Sequence, residues 1–229
     1  DGIALAYAAG AELVDMECVS FSVPGNRLGE ILGADAPLDE DLLRVGAAHY
    51  FLGGICINSE ARTTVPGLFA AGEVTGGLFG AARLGGTAMA DTIVFGAIAG
   101  AQAARDARMC PMPELDHELL RAEEEKLRLM LSDEGTPVAP LITGLRDMMW
   151  RECGTMRNQE SITRVLDELR DGPQHASEIS VGSLLGVREG AEYLNMLTVA
   201  RLIAEATAVR QESRGCFWRL DFPDPDNAN

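Results

Sequence analysis

Basic side chains are scarce in this sequence of 229 residues, because 19 Lys and Arg stand against 35 Asp and Glu, a formal net charge of -16. So few cations cannot form a basic face broad enough to bind a phosphate backbone, so we expect no nucleic-acid partner. Hydrophobic residues make up 47% of the chain and charged residues 24%. This is the balance of a globular protein, large enough for one large domain or two small ones.

Paired cysteines are also missing. The five cysteines lie far apart, and no two of them form a CxxC pair. An odd, scattered set predicts reduced thiols in a cytoplasmic protein and argues against a disulfide framework or a zinc site, so we expect no metal ion. These residues are Cys18, Cys56, Cys110, Cys153 and Cys216.

A membrane span and a complete cofactor-binding unit are not expected either. The most apolar stretch, Thr87 to Ala104, is interrupted by Asp91 and by small residues, so it predicts a buried helix, and no signal peptide is recognisable. The chain begins with Asp1 inside a predicted helix and contains no GxGxxG turn of the kind that cradles a dinucleotide pyrophosphate. We therefore expect a fragment, a processed chain or one half of a split protein.

The central part of the chain carries most of the chemical information. An apolar run from Gly67 to Gly72 predicts a buried strand, and the acid Glu73 follows it directly. A glycine-rich loop around Arg83 then leads into a helix that begins near Thr87. An acid at a strand end can bind ribose hydroxyls, and a helix N-terminus favours negative charge, so this order predicts a nucleotide-cofactor site.

Three motifs in this part resemble the succinate dehydrogenase and fumarate reductase flavoproteins, a family that includes L-aspartate oxidase. The family pattern is roughly HYxxGG, PGLxAAGE and GANRLGxN followed by a small-residue helix. This chain has HYFLGG at 49–54, PGLFAAGE at 66–73 and GAARLGGT at 80–87. The runs EVTGG at 73–77 and LGG at 84–86 are most similar to those of the soluble fumarate reductases. The resemblance implies FAD as the cofactor.

The resemblance also implies a role for each motif residue. Arg83 matches an arginine that binds a substrate carboxylate, and His49 matches a histidine that hydrogen-bonds substrate near the flavin. Glu73 is expected to accept hydrogen bonds from the FAD ribose. The remaining expected cofactor contacts are Gly53 and Gly54 against the isoalloxazine, and Gly85, Gly86, Thr87 and Ala88 at the start of the helix. Each residue also has an alternative role without a ligand. Glu73 would be a solvated acid, Arg83 and His49 would be structural residues, and the glycines would only allow a tight entry into the helix.

The sequence departs from the family pattern at several positions. Phe79 and Ala82 stand where the family has His and Asn, which removes polar partners from the same pocket. A polar connector at 24–44 replaces the capping domain, which is therefore absent or shortened. In the family that domain carries the arginine thought to donate a proton to fumarate. Only Arg27 and Arg44 lie near enough to replace it.

The second half of the chain is predicted to be helical. The proline-rich break at 110–113 predicts a domain boundary, and the last expected helix carries a core-facing apolar stripe. Helices are expected over Glu114–Asp133, Leu141–Cys153, Asn158–Arg170 and Val187–Arg210. This half resembles the helical C-terminal domain of the same family, through CGTMR at 153–157 and ESRGCFWRLDFP at 212–223. The predicted fold class is α/β plus α, with a partial Rossmann-like FAD-binding domain at 1–110 followed by a helical bundle domain at 111–229.

The predicted function is part of an FAD-dependent oxidoreductase that acts on a small dicarboxylate of the fumarate or succinate type, by hydride transfer at flavin N5. Two alternatives stay open: a non-catalytic or split subunit that completes a flavin site on another chain, and an amino-acid oxidase similar to L-aspartate oxidase. Arg83 does not separate these substrates, since both carry two carboxylates. The expected partners are the dicarboxylate and an N-terminal flavoprotein segment or chain. A further candidate partner is an iron-sulfur electron-transfer subunit.

Overall fold

The computed structural model describes residues 1–22, 47–111 and 114–227. The connector predicted at 24–44, with Arg27 and Arg44, lies outside these ranges, as do two residues of the predicted proline-rich break. The first half of the described chain contains short strands between two helices. Its elements are α1 (Gly2–Ala8), β1 (Leu13–Val14), β2 (Val19–Ser22), β3 (Ala47–Phe51), β4 (Gly54–Ile55), a 3-10 turn (Gly72–Val74) and α2 (Thr87–Met109).

Two antiparallel strand pairs organise this half: β1 pairs with β4, and β2 pairs with β3. In the second pair Ser20 is opposite Tyr50, but Phe21 is opposite Ala48, so His49 is an extra residue in β3. A β-bulge of this kind bends the strand and changes the direction of the bulged side chain.

The strand predicted between Gly67 and Gly72 does not form. Phe69 makes a single bridge to Arg62, and both glycines have positive φ angles, of 80° and 79°. The bends at these two positions leave too few extended residues for a ladder. Glu73 consequently lies in the 3-10 turn rather than at the end of a strand.

Helix α2 begins at Thr87 as predicted, but it is not buried. Asp91 is its one buried residue, whereas Met89, Ile93 and Val94 are 70%, 63% and 52% exposed. A buried helix needs an apolar surface along its length, and among the described elements α2 packs chiefly against the 3-10 turn. The expectation of a buried helix is therefore wrong for the described chain. No helix in the described ranges is both long and apolar enough to cross a membrane.

The second half consists mainly of helices, as predicted. Its elements are α3 (His117–Leu129), β5 (Thr136–Pro137), α4 (Val138–Cys153), α5 (Gln159–Asp171), β6 (Ile179–Ser180) and α6 (Val187–Val209). Helices α4, α5 and α6 pack against one another. The predicted stripe on α6 is confirmed. Five of its six residues are at most 8% exposed, namely Tyr193, Leu197, Ala200, Ile203 and Ala204, and the sixth, Met196, is partly buried against the same core. The predicted class, α/β plus α, is confirmed.

Arg157, between α4 and α5, connects the two halves from inside the core. The residue is 1% exposed. Its Nε donates to the Gly154 carbonyl at 2.9 Å, and its Nη1 donates to the Glu17 carbonyl at 2.8 Å and to Thr207 Oγ1 at 3.1 Å. Its guanidinium carbon lies 5.0 Å from the centre of the Phe217 ring. One buried side chain thus contacts the turn between β1 and β2, helix α6 and the C-terminal segment.

Arg219 is the second fully buried arginine, at 0% exposure. Its Nε and Nη2 donate to the two carboxylate oxygens of Asp221, both at 2.7 Å, and its Nη1 donates to the Thr207 carbonyl at 2.7 Å. The bidentate pair with Asp221 satisfies a charge that would otherwise be costly to bury. The bond to the Thr207 carbonyl holds the C-terminal segment on α6.

We expect Arg157→Met to lower the free energy of unfolding by about 3 kcal/mol, because the substitution leaves buried acceptors without a donor. Urea denaturation measures this change. The matched control is Arg188→Met, since Arg188 lies on the surface and pairs with Glu192 on its own helix. The control should leave stability nearly unchanged, and equal losses in the two variants would contradict the role given to Arg157.

Candidate functional site

Arg83 and Glu73, two of the predicted site residues, lie near Tyr50, a residue that the sequence alone does not single out. Tyr50 is 8% exposed. The Arg83 guanidinium carbon lies 4.2 Å from the centre of its ring, which is cation-π distance. The ring of Phe79 meets it edge-on, with 6.1 Å between centroids. The phenylalanine that replaces a polar family residue therefore forms part of the wall of this cluster.

Two carboxylates complete the cluster. Glu73 Oε1 accepts a hydrogen bond of 3.0 Å from the Phe51 amide, next to Tyr50 in the chain, and Asp91 projects from the second turn of α2 at 6% exposure. Burial and then the charges of Asp91 and Glu73 raise the pKa of the Tyr50 phenol, while Arg83 acts in the opposite direction. Tyr50 is therefore a neutral ring that shares one electrostatic environment with an arginine and two acids.

Three buried polar atoms of this cluster have no hydrogen-bond partner within the described residues: Tyr50 Oη, Arg83 Nε and Asp91 Oδ1. Buried polar atoms in folded proteins are nearly always paired, and unpaired ones collect at functional sites. Arg83 also forms no ion pair with any described carboxylate; its Nη1 makes one long contact, 3.4 Å, with the Leu84 carbonyl. The cluster therefore offers a polar ligand two unpaired donors, on Tyr50 and Arg83, and one unpaired acceptor, on Asp91.

The start of helix α2 borders the cluster. Gly86 is the N-cap, with φ of 88° and no capping side chain, and Ala88 packs against the buried group that contains Tyr50. The Thr87 amide, expected to face a flavin, donates instead to the Leu84 carbonyl at 3.3 Å. A Cβ placed on Gly85 would meet nothing within 4 Å, so the space in front of this loop is open to a ligand.

Close backbone packing explains why residues 53 and 54 are glycines, independently of any ligand. A Cβ on Gly53 would lie 1.9 Å from the Asp15 carbonyl oxygen, and one on Gly54 would lie 2.3 Å from the Val74 carbonyl oxygen. Only glycine allows the backbones to pack this closely. Their contact with a flavin stays a prediction.

His49 is not linked to the other predicted site residues. It is exposed at the bulge of β3, directly before Tyr50. Its side chain forms no hydrogen bond or ion pair with any residue in 1–22, 47–111 or 114–227. The structure thus brings Glu73, Arg83 and the first turns of α2 together around Tyr50, with His49 beside them.

A C-terminal hairpin supports the loop that carries the site arginine, and the sequence analysis missed this contact. Arg214 and Phe217 pair through their backbones, and the Cys216 amide donates to the Ala81 carbonyl at 2.7 Å. A Cβ on Gly215 would lie 2.1 Å from the same carbonyl oxygen. The motif at 212–223 is the sequence signal for this hairpin, but its residues do not show which loop the hairpin contacts.

Comparisons with known proteins identify the family. Residues 36–89 match the model of an FAD binding domain, and residues 143–229 match the fumarate reductase flavoprotein C-terminal model. An uncharacterised FAD-dependent oxidoreductase of Methanocaldococcus jannaschii is 35% identical over 189 residues, which are 81% of this chain and 34% of that protein. The fumarate reductase (CoM/CoB) of Methanothermobacter marburgensis has a subunit that is 35% identical over 181 residues, 77% of this chain and 33% of that relative.

The chain belongs to the succinate dehydrogenase and fumarate reductase flavoprotein family. The matching FAD-binding model indicates FAD as the cofactor of this family member. The chain spans about a third of the length of the relatives it matches. A chain of the Mycobacterium smegmatis Sdh1 complex in the apo form superposes on 99% of this chain and 52% of its own length, with a TM-score of 0.84 at 24% identity. That similarity supports the fold.

Two glycines near the site should respond differently to a methyl group. Gly53→Ala should lower the melting temperature clearly, because the new Cβ would overlap a backbone carbonyl. Gly85→Ala should leave it unchanged or raise it slightly, because the Cβ enters open space and the unfolded chain loses freedom. Thermal unfolding followed by circular dichroism compares them, and a larger loss in Gly85→Ala would contradict the packing described.

Asp91→Asn should stabilise the chain at neutral pH. Burial raises the pKa of the Asp91 carboxyl above its ordinary value of 3.8, so the folded state favours the protonated acid. The stability that protonation gives is complete below that value and is lost as the pH rises through the higher folded pKa. In urea denaturation the advantage of Asp91→Asn should therefore grow as the pH rises above about 4 and level off once the pH has passed the folded pKa. A pH-independent difference would contradict this.

Proposed function

We propose that this chain forms the substrate-facing part of an FAD-dependent oxidoreductase that acts on a small dicarboxylate of the fumarate or succinate type. The observation that supports this most is Arg83, which is half-buried over Tyr50 and has no carboxylate partner among the described residues. A guanidinium held against a ring by a cation-π contact keeps N–H groups free for a substrate, and the guanidinium fork suits a bidentate carboxylate. The name of the relative from Methanothermobacter marburgensis, a fumarate reductase, is in keeping with such a substrate.

The residues of this chain would bind and orient the reactants. Glu73 has one oxygen fixed by the Phe51 amide, which leaves the other to accept hydrogen bonds from a ribose. Tyr50 and Phe79 form an apolar wall that excludes water behind the arginine. Bound FAD would supply the hydride chemistry. His49, exposed on its bulge, would offer the second polar contact to substrate.

The pyrophosphate-binding turn would come from outside this sequence, which contains no GxGxxG. The exposed apolar residues Met89, Ile93 and Val94 on α2 support a second possibility within the proposal, a flavin site completed by a separate N-terminal chain. An iron-sulfur subunit would then exchange electrons with the flavin. The proton donor would also lie outside the described residues.

Substitution of Arg83 tests the proposal in the flavin-loaded protein, prepared together with the segment or chain that supplies the pyrophosphate turn. Arg83→Ala should lower kcat/KM for fumarate by at least ~100-fold in an assay with reduced viologen, because a carboxylate contact and the orientation it gives are lost. Arg83→Lys should recover part of the loss, since it keeps the charge but not the fork.

Arg108→Ala is the matched control, because this arginine is exposed in the last turn of α2, the helix that follows the Arg83 loop. The control should retain full activity, and flavin absorbance should be equal in all variants. Unchanged fumarate reduction in Arg83→Ala would contradict the proposed role of Arg83 in binding the substrate carboxylate. Peroxide production that depends on aspartate, without fumarate reduction, would move the assignment to an amino-acid oxidase similar to L-aspartate oxidase.

A further inference from the structure

Phe79 and Arg83 belong to one loop and contact the same aromatic ring. The Arg83 guanidinium carbon lies 4.2 Å from the centre of the Tyr50 ring, and 6.1 Å separate the centres of the Phe79 and Tyr50 rings. A turn in the loop also brings them together, because the Ala82 amide donates to the Phe79 carbonyl at 3.4 Å. The guanidinium and the Phe79 ring are therefore no farther apart than the sum of the two ring distances, which a short carboxylic acid can span.

Phe79 is only partly buried. It packs against the buried cluster that contains Tyr50, Leu52 and Phe217, and its edge-on contact with Tyr50, at an angle of 76° between the rings, holds it in place. Part of its surface stays accessible. An aromatic ring presents a large apolar area to whatever meets it. Beside an arginine that can bind a carboxylate, this ring offers a surface for the apolar part of a ligand.

The loop offers little to a second anionic group. Arg83 is the one charged side chain between residues 78 and 88, and the Thr87 hydroxyl in the same stretch already donates to a main-chain carbonyl at 2.7 Å. The acid Glu73 is bonded, at 3.0 Å, to the main-chain amide that follows Tyr50, and its charge would repel a second carboxylate. The described part of the site therefore suits one carboxylate and an apolar remainder.

We propose that this site also reduces an α,β-unsaturated monocarboxylate with an apolar group at its far end, such as a 3-aryl-2-propenoate. Phe79 is the residue that determines this specificity, because it contacts the apolar group while Arg83 binds the carboxylate. The inference rests on the proposed function, since both use the carboxylate contact of Arg83. It adds a class of substrate that two carboxylates do not define.

The reaction is a two-electron reduction of the carbon–carbon double bond. Bound FAD, reduced by a one-electron donor that acts twice, supplies the hydride. As the π bond breaks, one C–H bond forms with the hydride at the carbon β to the carboxylate, and another forms with a proton from solvent at the α carbon. Negative charge moves onto the carboxylate oxygens while the hydride adds, and the Arg83 guanidinium would stabilise it there.

Reduction of cinnamate and of fumarate by reduced viologen tests the proposal in the flavin-loaded protein, prepared together with the segment or chain that supplies the pyrophosphate turn. We expect kcat/KM for cinnamate to be at least equal to that for fumarate. Phe79→His should lower the cinnamate value by about 10-fold and leave the fumarate value unchanged or higher, because only the apolar contact is lost. Phe79→Leu should keep the preference, since leucine is also apolar.

Calorimetric binding of the saturated analogues 3-phenylpropanoate and succinate gives a readout that does not depend on turnover, and the same selectivity change is expected in Phe79→His. Met109→His is the matched control, because it places a histidine at an exposed apolar position at the far end of α2. The control should not change the preference. Equal loss of both substrates in Phe79→His, with unchanged flavin absorbance and melting temperature, would show a structural role and overturn the proposal.

The outcome for the unsubstituted chain separates this inference from the proposed function, even if a variant folds poorly. Fumarate reduction that depends on Arg83, without any cinnamate reduction, would contradict the inference alone. Cinnamate reduction that is lost in Arg83→Ala would support it. Reduction of neither compound, or of both without dependence on Arg83, would contradict the inference and the proposed function together.

Discussion

The buried guanidinium of Arg157 is the contact on which the described structure depends. It donates to the Glu17 carbonyl in the strand half and to Thr207 on α6, and it stacks on Phe217 of the C-terminal segment. A charge is costly to remove from water, so each of these partners must stay in place for the fold to be stable. Arg157 thereby sets the distance between the β2–β3 pair, the helical core and the C-terminal hairpin. That hairpin in turn fixes the loop that carries Arg83.

The Tyr50 cluster contains several buried polar atoms whose hydrogen bonds are not satisfied. All but one of the Arg157 side-chain nitrogens have a hydrogen-bond acceptor. In contrast, Tyr50, Arg83 and Asp91 each keep a buried polar atom without a partner among the described residues. Such groups reduce stability, and natural proteins retain them where a ligand supplies the missing bonds. The Tyr50 cluster is thus where the structure departs from good packing, and it carries the proposed chemistry.

Local patterns predicted the helices well and the contacts between distant segments poorly. The start of α2 and the core stripe of α6 follow from residue spacing within one helix, which depends on neighbours three and four positions away. The bulge at His49 depends on the register against a distant strand, so no local signal announces it. Arg157 looks like an ordinary surface residue in sequence, because its burial comes from three segments that meet only after folding.

Two expectations based on local sequence patterns are wrong. The apolar run before Glu73 is typical of a buried strand, but two glycines with positive φ end it after a few residues. The small-residue helix α2 is typical of a buried helix, but the described chain supplies little to cover it. The motif resemblance identified the family and the region of the site, since it rests on particular residues at fixed spacing. It did not identify Tyr50 as the centre, because that role depends on the ring contacts of Arg83 and Phe79.

The central claim is that Arg83, held against Tyr50, receives a substrate carboxylate. A crystal structure of the flavin-loaded protein with malonate, a dicarboxylate that is neither oxidised nor reduced, tests it most directly. The account predicts one malonate carboxylate within hydrogen-bond distance of the Arg83 guanidinium, with Tyr50 beneath that guanidinium and the flavin next to the start of α2. Malonate bound elsewhere, with Arg83 paired to a protein carboxylate, would contradict it.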